Sequence, residues 1–169
     1  MDDSALTLTL TDEAATLALG AALAPALSPG LKIFLEGDLG AGKTTLVRGL
    51  LRALGHPGKV KSPTYTLVEL YAISGLNLYH FDFYRFNQPE EYLEAGLDEY
   101  FRGDAICIVE WPALAGEHLP AADLRLRLSL DGAGRRADIV ALSAPGEALL
   151  QWLKTSSPAA ADCSASPPR

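Results

Sequence analysis

Residues 37–44, with the sequence GDLGAGKT, carry the clearest chemistry in this chain. They fit the pattern G-x-x-x-x-G-K-[ST], which binds the phosphates of a nucleotide. Glycines let the backbone curl so that successive N–H groups face phosphate oxygens, and the helix that follows adds the positive end of its dipole. In this pattern Lys43 is expected to reach the terminal phosphates, and the Thr44 hydroxyl is expected to bind Mg²⁺.

Two carboxylates are candidates to complete such a site, because it also needs an acidic group for the metal and the attacking water. Glu110 follows the apolar run 105–109, and Asp82 lies in the sequence HFDFYR at residues 80–85. Ligands of open α/β sheets bind beyond the carboxyl ends of the strands, and a metal offsets the cost of a buried carboxylate. The alternative for each acid is a structural ion pair with a base such as Arg85. The sequence does not decide which acid positions the water.

Hydroxyl, imidazole and guanidinium groups are weaker candidates. The sequence Ser62-Pro63-Thr64 follows the helix after the phosphate loop, where a hydroxyl could contact Mg²⁺ or water, but an ordinary Ser-Pro turn is an equal alternative. His80 is expected to orient Asp82 or pack beside it. Four arginines fall in the C-terminal third, where a solvated strand face is favoured over contact with phosphate or a partner. They are Arg125, Arg127, Arg135 and Arg136.

The elements that must position these residues alternate between strand and helix. Apolar and alternating runs predict strands, and leucines at helical spacing predict helices. Thr11 is a plausible N-cap for the first helix, Pro25 should kink or end it early, and Gly96 should interrupt the helix 89–101. The predicted strands are 6–10, 31–35, 64–73, 76–84 and 105–109, with a hairpin of 124–130 and 135–142; the predicted helices are 14–27, 46–54, 89–101 and 147–153.

This order predicts an α/β fold of the P-loop NTPase type. We expect three layers with a mostly parallel central sheet and a C-terminal antiparallel β-hairpin that is half exposed. Residues 1–153 are expected to form a single domain. Residues 154–169, which are rich in Ser, Pro and Ala, are expected to be a disordered tail.

Composition limits the classes of partner. The chain has 169 residues and a net charge of −7, and an acidic chain repels nucleic-acid backbones, so any link to RNA is expected to be indirect. The apolar segment 14–27 follows acidic residues and is too short to cross a bilayer, so no membrane association is expected. Cys107 lies in an apolar run and Cys163 in the tail, which fits a reducing cytoplasm better than a disulfide framework.

Four motifs in this order and spacing resemble those of the bacterial TsaE (YjeE) ATPases, which take part in making threonylcarbamoyladenosine next to the anticodon of tRNA. The resemblance runs from about residue 10 to about residue 142. The phosphate loop alone is generic, whereas the other three motifs are specific. The four motifs are GDLGAGKTT at 37–45, which is the phosphate loop, and SPTYTLV at 62–68, HFDFYR at 80–85 and EWP at 110–112.

The resemblance implies ATP binding, with Thr44 and Glu110 as magnesium ligands. It also implies that Asp82 is the Walker-B-like acid and that Thr64 belongs to a switch loop. The expected catalytic residues are Lys43, Asp82, Glu110 and Thr64. It implies that the base is held between the segment near Glu13 and the hairpin turn. The implied nucleotide-binding residues are Glu13, Asp38, Leu39, Gly40, Ala41, Gly42, Lys43, Thr44, Thr45, Gly134 and Arg135.

The family partners are the TsaD and TsaB proteins, which form the threonylcarbamoyl transferase. The resemblance implies that the chain docks on that pair and hydrolyses ATP, weakly when alone, to support repeated turnover. A P-loop kinase for a small metabolite is one alternative, although no Arg-rich lid segment lies between the strands. A binding module gated by nucleotide, with incidental hydrolysis, is another. A GTPase is disfavoured because the chain has no N-K-x-D segment.

Overall fold

Residues 4–156, the part of the chain that the computed structural model describes, form strands and helices in mixed order. The first half contains β1 (Ala5–Leu10), α1 (Glu13–Leu23), β2 (Lys32–Glu36), α2 (Lys43–Ala53), β3 (Val68–Ile73) and β4 (Leu76–Asp82). The second half contains α3 (Glu91–Glu94), β5 (Ile106–Glu110), β6 (Leu124–Asp131), β7 (Gly134–Ala141) and α4 (Ala144–Ser156). Short 3₁₀ helices occupy Ala24–Ala26, Leu97–Phe101 and Pro112–His118.

The strands form one seven-stranded sheet in the order β1-β7-β6-β2-β5-β4-β3. The four adjacent strands β6, β2, β5 and β4 are parallel, while β7 and β3 run antiparallel to their neighbours. Because β1 is antiparallel to β7, it points the same way as the central four, and the sheet is mostly parallel. This confirms the predicted α/β fold. The hairpin β6–β7 is part of the central sheet, and β6 pairs directly with β2.

The two faces of the sheet are covered differently. One face packs against α1, α2 and α4 through a large aliphatic core, in which leucine dominates. The other face carries a smaller aromatic core that includes Phe81, Phe83, Tyr92 and Phe101, beneath α3 and the 3₁₀ helices Leu97–Phe101 and Pro112–His118. Alternate residues of β2, β4 and β5 contribute to the two cores, as the strand period of two requires, whereas β6 contributes to the aliphatic core only.

Helices α1 and α2 touch through two glycines. A Cβ atom on Gly20 would lie 2.0 Å from the carbonyl oxygen of Leu46, and one on Gly49 would lie 2.1 Å from that of Leu17. These distances are far below van der Waals contact, so only glycine permits the observed approach. The two helices are therefore packed backbone to backbone.

Several element boundaries differ from the sequence-based expectation. The first helix is capped by Asp12, whose carboxylate accepts from the Ala15 N–H at 2.8 Å, rather than by Thr11. Strand β3 begins at Val68 instead of residue 64, because Leu67 takes a left-handed conformation (φ 70°) and its N–H closes a turn on the Pro63 carbonyl. The interruption predicted at Gly96 is confirmed, because Gly96 has a φ of 70° and separates α3 from the 3₁₀ helix Leu97–Phe101.

Helix α4 begins and ends three residues outside the predicted range, reaching Ser156. The Thr155 hydroxyl donates to the Trp152 carbonyl at 3.1 Å within this last turn. The remainder of the predicted tail, residues 157–169, lies outside the described residues. Among the helices of residues 4–156, none has the length and apolar character needed to cross a membrane.

Candidate functional site

The phosphate-loop motif forms the turn between β2 and α2, at the carboxyl ends of the central strands. Gly37 (φ 143°) and Gly42 (φ 107°) take conformations that other residues rarely adopt. A Cβ on Gly37 would also lie 2.4 Å from the Leu128 carbonyl oxygen on the neighbouring strand. The glycines of the motif therefore serve both its curvature and its packing against β6.

Lys43 is the first residue of α2, and only 5% of its surface is exposed. Its ammonium group donates to the carbonyl oxygens of Gly37 and Asp38, the latter at 3.0 Å. The same group lies 4.5 Å from the centroid of the Trp111 ring, which is within the range of a cation–π contact. Burial lowers the pKa of Lys43, and the nearby carboxylates of Glu110, Asp82 and Asp38 oppose that shift.

Asp82 and Glu110 are brought together by the register of their strands, which pairs them at the ends of β4 and β5. Both are buried, with exposed fractions of 4% and 3%. The Thr44 hydroxyl oxygen lies 3.4 Å and 3.3 Å from the two carboxylate oxygens of Glu110. The phosphate-loop threonine and a strand-end acid therefore face each other.

Asp82 is held by the loop that precedes β3. Its Oδ2 atom accepts from the hydroxyls of Ser62 and Thr64, the second at 3.2 Å, and its Oδ1 atom accepts from the Tyr84 N–H at 2.8 Å. The guanidinium of Arg85 lies instead over the Tyr65 ring, 4.0 Å from the centroid. Asp82 is thus tied to the hydroxyl-bearing loop through hydrogen bonds from neutral donors.

His80 is fully buried and contacts a different acid from the one expected. Its Nε2 atom lies 2.6 Å from Oε2 of Glu110, and no hydrogen bond joins it to Asp82. The reason is the register of the sheet: His80 pairs with Ile108, two residues before Glu110, so the imidazole reaches diagonally across to the end of β5.

A cleft lies beside the phosphate loop, between the start of α1 and the start of β7. It has a volume of about 290 Å³ and brings Glu13 at the start of α1 next to Gly134 and Arg135 at the start of β7. Thr45, Gly40 and Gly42 also line it. The structure therefore places the residues predicted for the base around one cleft beside the loop.

Arg135 differs from the other hairpin arginines. Its guanidinium donates to the carbonyl oxygens of Gly40 and Ala41, each at 3.1 Å. Arg136 pairs with Asp138 on an exposed face. This position agrees with the solvated strand face that the sequence favours for the hairpin arginines. Position in the hairpin could not separate the two residues, because the distinction depends on which one faces the loop.

Comparison with known proteins decides the family. A family model described as "Threonylcarbamoyl adenosine biosynthesis protein TsaE" matches residues 10–137. The chain belongs to the TsaE family. The matched range contains every candidate site residue from Glu13 to Arg135.

Individual TsaE proteins agree with this assignment. The chain is 45% identical to "tRNA threonylcarbamoyladenosine biosynthesis protein TsaE" of Haemophilus influenzae over 120 residues, which is 71% of this chain and 76% of that protein. It is 43% identical to the protein of the same name from Bacillus subtilis over 121 residues, covering 72% and 75%.

A solved structure is similar as well. "Crystal structure of Bacillus subtilus YdiB" superposes with a TM-score of 0.73 at 34% identity, over 89% of this chain and 94% of that one. This likeness supports the P-loop NTPase-like fold of the TsaE chain described above.

Proposed function

We propose that this TsaE protein is a Mg²⁺-dependent ATPase that supports threonylcarbamoyl transfer to the adenosine next to the tRNA anticodon. It would do so by acting on the TsaD–TsaB transferase, and its own hydrolysis would be slow without that partner. The observation that carries the proposal is the meeting of Lys43, Thr44 and Glu110 at the carboxyl edge of the sheet.

The phosphate loop is suited to binding a nucleoside triphosphate. Lys43 is a buried cation whose present partners are carbonyl oxygens of its own loop, so it is positioned to donate to phosphate oxygens in the same concavity. The N-terminus of α2 adds partial positive charge at that point. Residues 38–45 would hold the phosphates.

Thr44 and Glu110 fit the protein share of a Mg²⁺ site. Mg²⁺ usually takes one or two protein oxygens beside substrate phosphates and water. Two ligands at about 2.1 Å in adjacent octahedral positions lie about 3 Å apart. The Thr44 and Glu110 oxygens, at 3.3 Å and 3.4 Å, need little movement to reach that separation. Bound Mg²⁺ would supply charge neutralisation for the phosphates.

Asp82 fits a role in positioning the attacking water. It is a buried acceptor at the same edge of the sheet, and Ser62 and Thr64 donate to it from a loop. A change in that loop would move the hydroxyls and the carboxylate together. We therefore propose that Glu110 binds the metal. We propose that Asp82 positions the attacking water and that its position depends on the loop that carries Ser62 and Thr64.

The cleft beside Glu13 and Arg135 is the proposed site for adenine. It adjoins the phosphate loop through Gly40 and Thr45, so one nucleotide could reach both regions. The lack of an N-K-x-D segment in the sequence favours adenine over guanine.

Surface character favours a protein partner over direct tRNA binding. Large apolar side chains are exposed near the mouth of the site, whereas the chain as a whole carries a net charge of −7. These exposed residues are Leu39, Tyr65, Tyr84 and Leu130. We accordingly propose cytoplasmic action through TsaD and TsaB, with tRNA contacted only indirectly.

The deciding experiment measures ATP turnover by the chain alone, by TsaD–TsaB alone and by the mixture. We expect the mixture to exceed the sum of its parts, and to do so only with Mg²⁺. Unchanged turnover together with phosphate transfer to a small molecule would favour the kinase. Tight nucleotide binding with no turnover in any mixture would favour a binding module.

A further inference from the structure

His80 is a fully buried side chain to which the proposed function gives no task. It lies in β4 on the same face as Asp82, and its Nε2 atom is 2.6 Å from Glu110. Its other ring nitrogen, Nδ1, has no hydrogen-bond partner within residues 4–156. The only polar contact of this imidazole among those residues is therefore with the acid proposed to bind Mg²⁺.

The chemistry of the pair sets the direction of the bond. A carboxylate can only accept, so Nε2 of His80 carries the proton and donates it to Oε2 of Glu110. The buried Nδ1 is then a bare acceptor, which avoids leaving an N–H group without a partner. In this tautomer the imidazole acts as a fixed donor aimed at one carboxylate oxygen.

Glu110 has a competing attraction, and its other hydrogen-bond donors among the described residues, the hydroxyls of Thr44 and Ser62, lie farther from it than His80, at 3.3 Å to 3.4 Å. The Lys43 ammonium is close enough for the Glu110 charge to affect its pKa. A glutamate side chain freed from His80 could turn towards that cation and away from the Thr44 hydroxyl. The hydrogen bond from His80 opposes this rotation and keeps Glu110 facing Thr44.

We infer that His80 is a positioning residue that sets the orientation in which Glu110 serves Mg²⁺ beside Thr44. The inference rests on the proposed magnesium site and goes beyond it by assigning the group that orients the acid. Outer-shell partners of this kind typically change metal affinity by about 10- to 100-fold when they are removed.

The test compares three variants by calorimetric titration with the non-hydrolysable ATP analogue AMPPNP, with saturating Mg²⁺ and with EDTA. The ratio of the two dissociation constants is the Mg²⁺ enhancement. His80→Leu removes the donor. His80→Gln keeps an N–H near the Nε2 position, and His80→Asn carries the same amide on a chain too short to reach Glu110.

We expect His80→Leu and His80→Asn to reduce the Mg²⁺ enhancement by about 10-fold and His80→Gln to stay close to the unaltered protein. Binding in EDTA should be unchanged in all three, since His80 does not contact the phosphate loop. A purely structural role would weaken binding in both conditions.

An enhancement in His80→Leu equal to that of the unaltered protein overturns the inference. If the leucine variant does not fold, equal values for the asparagine and glutamine variants overturn it. An unaltered protein that binds AMPPNP without any Mg²⁺ enhancement contradicts the proposed magnesium site itself, which is a distinct result.

Discussion

The two walls of the site are built in different ways. The phosphate-loop wall, residues 37–44, is a continuous stretch whose shape depends on glycine conformations and whose lysine bonds to main-chain carbonyls. The acidic wall consists of Asp82 and Glu110 with the side chains that hold them. Those side chains are Ser62, Thr64 and His80.

The difference separates two tasks. A wall made of main chain presents N–H groups and one buried cation, which suits binding of phosphate in general. A wall made of side chains from two strands and a loop presents carboxylates, which suit a metal and a water molecule. Substitutions in the first wall other than at Thr44, the proposed Mg²⁺ ligand, should therefore affect nucleotide affinity, and those in the second should affect the Mg²⁺ dependence.

Lys43→Ala should have the largest effect. Removing a buried cation from a hydrogen-bonded charge pair costs about 2–5 kcal/mol, so ATP affinity should fall by about 100-fold. Titration with and without Mg²⁺ measures it, and both conditions should show the loss. Lys59→Ala, at an exposed position after α2, is the matched control. Affinity within about two-fold of the unaltered protein would contradict this role of Lys43.

Glu110→Gln should distinguish most clearly between the roles of the two walls, because it should lower hydrolysis without weakening nucleotide binding. Hydrolysis that depends on Mg²⁺ should fall by about 50-fold, because the amide is a poorer metal ligand than the carboxylate. Binding of ATP in EDTA should stay the same or tighten, since a negative charge beside the phosphates has been removed. Turnover and affinity are both measured, with exposed Glu117→Gln as the control. A parallel loss of both quantities would refute the separation.

Arg135→Ala should give the smallest effect of the series. It removes hydrogen bonds to the carbonyls of Gly40 and Ala41, and a bond of this kind contributes about 1 kcal/mol, so ATP affinity should fall by about five-fold. Arg136→Ala removes the same charge from the next residue and should leave affinity unchanged. Equal losses in both variants would mean that only the charge of the hairpin matters.

The phosphate-loop wall could be predicted from the sequence because its parts are contiguous. The strand-end acids could be predicted as well, because Glu110 follows an apolar run and Asp82 lies near the end of the predicted strand 76–84. The order of the strands could not, because pairing of β6 with β2 joins segments about 90 residues apart that carry no local signal of their partner.

The side-chain contacts between elements could not be predicted from the sequence either. The bond from His80 to Glu110 depends on the register of β4 against β5. The position of Trp111 under Lys43 depends on a left-handed φ of 58°, which a tryptophan rarely adopts. Neither the register nor this conformation is encoded in a short pattern of residue types.

The glycine contact between α1 and α2 has a consequence for the cleft at their N-terminal ends. Helix α1 starts at Glu13 and α2 starts at Lys43, and both N-termini line that cleft. The separation of the two helix axes therefore sets the width of the cleft. Because Gly20 and Gly49 have no side chain, they keep the distance between the two helices short. A methyl group at either position would act as a wedge between the helices, and the cleft would widen although neither residue touches it.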